Sequence, residues 1–218
     1  MQLATLRKEC IVKEKTTIQD AMSPAERWLK RCFDVVGASC CLILLSPLFL
    51  VIGGAIKRED GGSIIFCQER VGYKGECFTL YKFRSMIANA EASGQPQLCR
   101  KRDLRMTRIG RFLREHHLDE LPQLWNVIKG EMSFVGPRPE RPFYVDQIKA
   151  INPDYELLYK IRPGLFSEAT LYNGYTDTME KMLERLRLDL DYMGRRTLWS
   201  DAQIIWLTVY SLLSGKKF

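Results

Sequence analysis

The stretch KRCFDVVGASCCLILLSPLFLVIGGAIKR, residues 30–58, holds the longest apolar run of the chain, and its path decides where every later residue sits. From Phe33 to Ile56 it covers about 24 residues, which as one helix would extend about 36 Å against a hydrocarbon core of about 30 Å. Asp34 is its only formal charge. A plain transmembrane span is the first reading. Three features oppose it. Lys30 and Arg31 precede the run and Lys57 and Arg58 follow it, so the preference of basic residues for the cytoplasmic side pulls both ends the same way. Ser46–Pro47 lies near the middle, where proline removes a backbone donor and kinks a helix. The polar remainder of the chain then follows, with nothing else apolar enough to bring it back. A helix–break–helix that dips into one leaflet meets all three conditions, and the Ser46 hydroxyl can bond a carbonyl that the proline leaves free. A buried core hairpin in a soluble protein is the third reading.

Ahead of the run, Ser23-Pro24-Ala25-Glu26 matches a capping box with proline at the first helical position. Trp28 and the Lys30–Arg31 pair are expected at headgroup level. Residues 1–22 read as a polar arm too polar for the apolar core of a signal peptide. A chain of 218 residues suits one domain, with 46% hydrophobic residues for its core. The net charge of +7 points to an anionic partner: nucleic acid, a phosphorylated small molecule or anionic lipid. The 7 cysteines form no CxxC pair and no His/Cys metal spacing, which fits a reducing compartment.

Downstream, GGSIIFCQERVGYKGECFTLYKFRSM (61–86) reads as short strands punctuated by Gly61–Gly62, Gly72 and Gly75. Residues 87–104 read as a polar surface loop. In 106–132, Leu121, Leu124, Trp125 and Ile128 fall on one helical face. The proline-rich SFVGPRPERPF and the stretch RPGLFSEATLYNGYTD read as irregular, and 141–160 as another helix. Residues 178–194 form a charged helix with Leu183, Leu186 and Leu190 on one face and a solvated opposite face. The C-terminal TLWSDAQIIWLTVYSLLSGKKF forms an amphipathic helix that can lie on a membrane or pack on the domain.

The chemistry concentrates in RFLREHHLDELPQLWNVIKGEMSFVGPRPE. Asp119 and Glu120 stand where a helix starts, with Pro122 in its first turn. Unpaired N–H groups and the macrodipole favour negative charge there, so Asp119 is expected to stay ionised. Arg114 precedes the pair, and Arg138 follows between Pro137 and Pro139, a rigid turn that suits a phosphate held in one orientation. Adjacent acids ringed by arginines suit a carboxylate that attacks phosphorus while a divalent cation screens the repulsion. The blander alternative makes Asp119 an N-cap and the arginines surface partners.

The segments KRCFDVVGA…LLSPLFL, IIFCQERVGYKGECFTLYKFRSM, LREHHLDELPQLWNVIKGEMSFVGPRP and IRPGL, in that order, resemble the bacterial sugar transferase family, the monotopic polyprenyl-phosphate phosphoglycosyl transferases. The chain is similar to the family's small catalytic-core form. The resemblance implies two steps: an aspartate attacks the β-phosphate of a nucleotide-diphosphate sugar, expected to be UDP-linked, and expels UMP; the phosphosugar then passes to polyprenyl (undecaprenyl) phosphate. By position it implies Asp119 as nucleophile and Glu120 as its partner, with Mg²⁺ held by both. It also implies that Lys82, Arg114 and Arg138 contact phosphates, with Pro137 and Pro139 near the nucleotide and Arg84, Gln68 and Arg70 as weaker anion or structural contacts. The same likeness places a re-entrant helix broken at Ser46–Pro47 in the bacterial inner membrane, with the catalytic domain on the cytoplasmic face. Residues 163–178 depart from the family's usual stretch after PG, where sugar recognition is expected. His116 and His117 are expected to face solvent.

The expected fold is therefore α+β and mainly helical: a re-entrant hairpin over 23–58, then a compact catalytic domain over 59–218 with little sheet and interfacial helices. Membrane lipid is an expected partner, nucleic acid is not, and a homodimer is left open. A basic membrane-anchored module that binds anionic lipid or nucleic acid without catalysis is the competing class. It explains the charge and the apolar run but leaves DELP and GPRP without a role.

Overall fold

The computed structural model describes residues 18–87, 90, 103–174 and 176–214. Most of the polar arm and most of the 87–104 loop, with Cys10 and Cys99, lie outside the described residues. Helix α1 (Pro24–Leu44) opens with the expected capping box: Ser23 accepts from the Glu26 N–H, and Glu26 accepts from the Ser23 N–H at 2.8 Å. It ends at Leu45, and α2 (Ser46–Asp60) departs at 60°. Pro47 has no N–H to offer Ile43, four residues back, and the Ser46 hydroxyl donates to that carbonyl instead at 2.8 Å. Gly61, with φ of 71°, closes α2 by donating its N–H to Lys57. Among the described residues no single helix is long and apolar enough to cross a membrane; only this bent pair reaches that length and composition together.

Strands β1 (Ile65–Val71) and β2 (Cys77–Phe83) form an antiparallel hairpin, with Ile65 opposite Phe83 and Val71 opposite Cys77. Its loop turns at Lys74 and Gly75, with φ of 60° and 76°, as the glycine spacing predicts. Helix α3 (Arg108–Glu115) and α4 (Gln123–Lys129) flank a 3₁₀ turn over Leu118–Glu120. Two stretches expected to be irregular instead hold β3 (Ser133–Val135) and β4 (Gly164–Phe166), paired in parallel, and then α6 (Glu168–Asn173). The strands are three residues each, too short for alternation to show. Between them, α5 (Pro142–Ile151) stops before Pro153, and 153–160 continues as 3₁₀ rather than as the single helix expected over 141–160. Helices α7 (Met179–Arg195) and α8 (Leu198–Leu213) complete the described chain.

The main core joins α5, the 3₁₀ stretch and α7 through Val145, Ile148, Leu158, Met182, Leu186 and Met193. A second cluster sets Ala38 of α1 against Leu80, Leu124, Val127 and Met132. In α7 the buried face carries Arg185 and Asp189 as well as leucines, so the helix is not simply solvated opposite a leucine stripe. On α4, Trp125 is 52% exposed; the buried side is Gln123, Leu124, Asn126 and Val127.

Helix α1 is inverted relative to a soluble helix. Its buried residues are Lys30, Asp34 and Ala38, one turn apart, while Phe33 and Leu44 are 64% and 77% exposed. Lys30 does not reach outward to headgroups; it pairs with Asp201 of α8 at 2.5 Å. Arg31 donates to the Val127 and Ile128 carbonyls at 2.6 and 2.8 Å, capping the end of α4. Asp34 accepts the Phe134 N–H at 3.0 Å, fixing α1 to β3. On α1 the apolar side of the run thus faces outward, while Ile52 and Ile56 of α2 join Phe83 and Leu113 in a third buried cluster. Removing the Asp34 carboxylate leaves a buried N–H unmatched, so Asp34→Ala should lower stability by about 1–3 kcal/mol. Thermal melts in detergent micelles should show the loss, with Asp34→Asn nearer the native midpoint.

Candidate active site

Three segments converge. Lys82 comes from the end of β2, Asp119 and Glu120 from the 3₁₀ turn, and Arg138 from the loop after β3. The turn exists because His117 takes a left-handed φ of 54°, which ends α3 and sets the acids off both neighbouring helices. Pro122, which lacks an N–H, then starts α4 without losing a bond. The acids were expected where the helix starts, with Pro122 in its first turn; they occupy the 3₁₀ turn just ahead of α4, and Pro122 is its N-cap.

Glu120 is the hub. Its Oε1 accepts from Lys82 Nζ at 2.6 Å and from Arg138 Nη2 at 2.7 Å, and its Oε2 from Arg138 Nη1 at 3.5 Å. Burial pushes its carboxyl upward, but Arg138 and then Lys82 outweigh this and hold it well below the usual range. Arg138 is held above its ordinary value chiefly by Glu120, while burial lowers Lys82 against the pull of the same carboxylate. Two cations to one carboxylate leave positive charge beside Asp119.

Asp119 is only 5% exposed. The expected helix-start effect would keep it ionised. Instead burial pushes its carboxyl upward, opposed by Lys82, reinforced by Glu120, and opposed again by Arg114 and His117. Arg114, half-buried on α3, thus acts on Asp119 by charge. Pro137 and Pro139 are both buried and their carbonyls are tied, Pro137 to the Gly164 N–H and Pro139 to Arg70 Nη1, each at 2.9 Å. The turn that presents Arg138 is therefore rigid.

Arg84 is not brought into this cluster. It is buried against Asp60 at the end of α2, so close over Gly62 that a Cβ there would lie 1.9 Å from its Nη1. Its role in the fold is to tie α2 to β2. Ser46 and Pro47 form the helix break, and Gln68 accepts from Arg70 at 2.5 Å. The histidines separate: His116 is exposed and bonds the Phe112 carbonyl at 2.8 Å, whereas His117 is half-buried beside the acids, its pKa lowered first by burial. Nothing in the spacing separated the two. The sequence also gave no sign of Glu140, buried between Arg70 and Arg185, though it stands two residues after Arg138. Among the described residues no group of three or more His, Cys, Asp or Glu is placed to hold a metal ion.

The family model described as bacterial sugar transferase matches residues 25–215. The chain belongs to the bacterial sugar transferase family. Among this family's members it is similar to the UDP-glucose:undecaprenyl-phosphate glucose-1-phosphate transferase of Caulobacter vibrioides, 42% identical over 187 residues, 85% of this chain and 70% of that one. A transferase of the same name from Klebsiella pneumoniae is 42% identical over 183 residues, 83% of this chain and 39% of that one. The UDP-N-acetylgalactosamine-undecaprenyl-phosphate N-acetylgalactosaminephosphotransferase of Aeromonas hydrophila is 38% identical over 193 residues, 88% of this chain and 45% of that one. This bacterial sugar transferase chain spans less than half the length of the Klebsiella and Aeromonas proteins.

Glu120's folded pKa lies below its unfolded value, so its stabilising effect is complete above about 4.5 and is lost as pH falls through the folded value. Arg138→Ala removes one of its two cations. The acid unfolding midpoint should then move to higher pH, as followed by circular dichroism, while Arg187→Ala on the exposed face of α7 should leave it unmoved.

Proposed function

We propose that this chain is a membrane phosphoglycosyl transferase that moves a sugar-1-phosphate from a UDP-sugar to undecaprenyl phosphate and so initiates surface glycan synthesis. The observation that carries this reading is the buried Asp119 set beside Lys82 and the Arg138–Glu120 pair. In the first half-reaction an Asp119 carboxylate oxygen attacks the β-phosphorus. A carboxyl–phosphorus bond forms, the bridging P–O bond breaks, and UMP leaves with the bridging oxygen. In the second, a phosphate oxygen of the lipid attacks the same phosphorus and Asp119 is released.

Each side chain has a task in this scheme. Arg138, kept charged and oriented by Glu120, presents a planar fork to the diphosphate. Lys82 and Arg114 supply further positive charge around the attacked phosphorus. Asp119 and Glu120 fit Mg²⁺ as its protein ligands, with water and substrate oxygens completing the shell, since magnesium is seldom held by an all-protein cage. When bound, the ion screens the repulsion between carboxylate and diphosphate. The relatives named above carry different sugars on the same lipid, which matches a site whose charged groups address phosphate.

The lipid side draws on α1 and α2. Their outer faces are apolar, the break at Ser46 redirects the chain by 60°, and basic pairs stand at both ends, as in a re-entrant hairpin seated in the cytoplasmic leaflet of the inner membrane. An apolar groove of about 1110 Å³ runs between α2 and α3, lined by Leu48, Ile52, Ile109, Phe112 and Leu118, with Arg58 and Arg108 also on its wall. Leu118 adjoins Asp119 in sequence, so an isoprenoid chain in this groove would bring its phosphate toward the nucleophile. On α8, Trp199, Trp206 and Tyr210 face outward, as an interfacial helix requires.

Asp119→Asn should abolish release of labelled UMP from a panel of UDP-sugars with undecaprenyl phosphate, while the protein still folds and inserts. Release of UDP by the native chain would instead mark an ordinary glycosyl transfer and end this mechanism. For topology, single cysteines at Ala25 and Ser63, with the native cysteines replaced by alanine, should both resist an impermeant thiol reagent in intact cells. Labelling of only one would mean that the hairpin crosses the bilayer.

A further inference from the structure

Behind the Arg138 loop lies a buried acid that the proposed chemistry does not use. Asp189, on α7, is 2% exposed. Ser167 Oγ donates to its Oδ1 at 3.0 Å, the Arg138 backbone amide is directed at the same carboxylate, and Arg185 stands one turn earlier on the helix. Arg185 in turn binds Glu140 and Thr176. Glu140 also meets Arg70 at 3.3 Å, and its carbonyl accepts the Val71 N–H at 3.0 Å. The segment from Pro137 to Glu140 is thus held along one side by β1 and β4 and at its back by Asp189.

We propose that Asp189 is a positioning residue for Arg138: with Ser167 it clamps the backbone of residue 138 so that the guanidinium projects toward Glu120 and the donor diphosphate. This rests on the transferase reading above. An apolar side chain at position 189 would fill the same space without the desolvation penalty of a carboxylate, so stability alone does not account for an acid there. A carboxylate can accept from the Ser167 hydroxyl and the residue-138 amide at once, which no apolar residue can. Burial pushes Asp189 up to about 7, opposed by Arg185 and Ser167 and reinforced by Glu140, which agrees with a group kept despite its environment.

The test is a double-mutant cycle read by binding of UDP, the moiety common to the proposed donors, to the full chain in nanodiscs with Mg²⁺. Asp189→Asn should weaken UDP about tenfold when Arg138 is present, but less than about twofold in an Arg138→Ala background, because the clamp then has nothing to aim. Equal losses in both backgrounds, or no loss with Arg138 present, would overturn the proposal. Should Asp189→Asn fail to fold, Ser167→Ala runs the same cycle, with a smaller loss expected and the same criterion of dependence on Arg138. A chain that binds UDP and gives a non-additive cycle but forms no UMP would sink the transferase reading alone. UMP formation with an additive cycle would sink only the clamp.

Discussion

The site depends on one carboxylate answering two cations. Glu120 sits at the point where β2, the 3₁₀ turn and the proline-bounded loop would otherwise repel one another, since Lys82 and Arg138 are brought to the same acid. Taking that acid away would leave two partly buried positive charges answered by Asp119 and, for Arg138, by the more distant Glu140, and burial already raises Asp119's tendency to hold a proton. The arrangement therefore does two things at once. It joins three distant stretches of sequence, and it holds two cations beside Asp119.

A second layer of charge supports the first. Arg70, Glu140, Arg185 and Asp189 alternate in sign behind the Arg138 turn, and burial lowers Arg70 to about 10. Such a chain of buried charges is poor at raising stability and good at specifying a single arrangement. A loop built from Gly136, Pro137 and Pro139 has few conformations to begin with. Fastening its carbonyls to β4 and Arg70 removes most of the rest.

Much of this could be read from the chain. The capping box at Ser23, the break at Ser46–Pro47, the glycine-punctuated hairpin and the closeness of Asp119 and Glu120 to Arg138 follow from local signals: cap residues, proline, glycine and a dense string of charged residues. Lys82 joined that group only through the family resemblance. What escaped depends on contacts distant in sequence. Strands β3 and β4 are three residues each and exist by pairing with each other. His117 differs from His116 through a single backbone angle. Asp119 was expected to be held ionised by its place near a helix, whereas burial pushes its carboxyl upward against the nearby cations. Arg84 looked like Lys82's neighbour in function, but residues two apart on a strand share a face only until the strand ends, and β2 ends at Phe83. Lys30 and Arg31 read as flanks of an apolar run and Asp34 as the lone charge within it; their true partners lie about a hundred residues or more downstream.

That last feature bears on how the molecule can be handled. Protein chemists commonly trim a greasy leader to obtain a tractable fragment, on the view that it is merely a tether. Here the leader is also a wall of the building. Cutting it off would strip Asp201 of its lysine, the Phe134 amide of its acceptor, the end of α4 of its arginine cap, and Leu124 and Val127 of their cover. A version shortened to begin after residue 58 would be an opened shell, and detergent would be needed for its raw inner surface as much as for any bilayer-facing one.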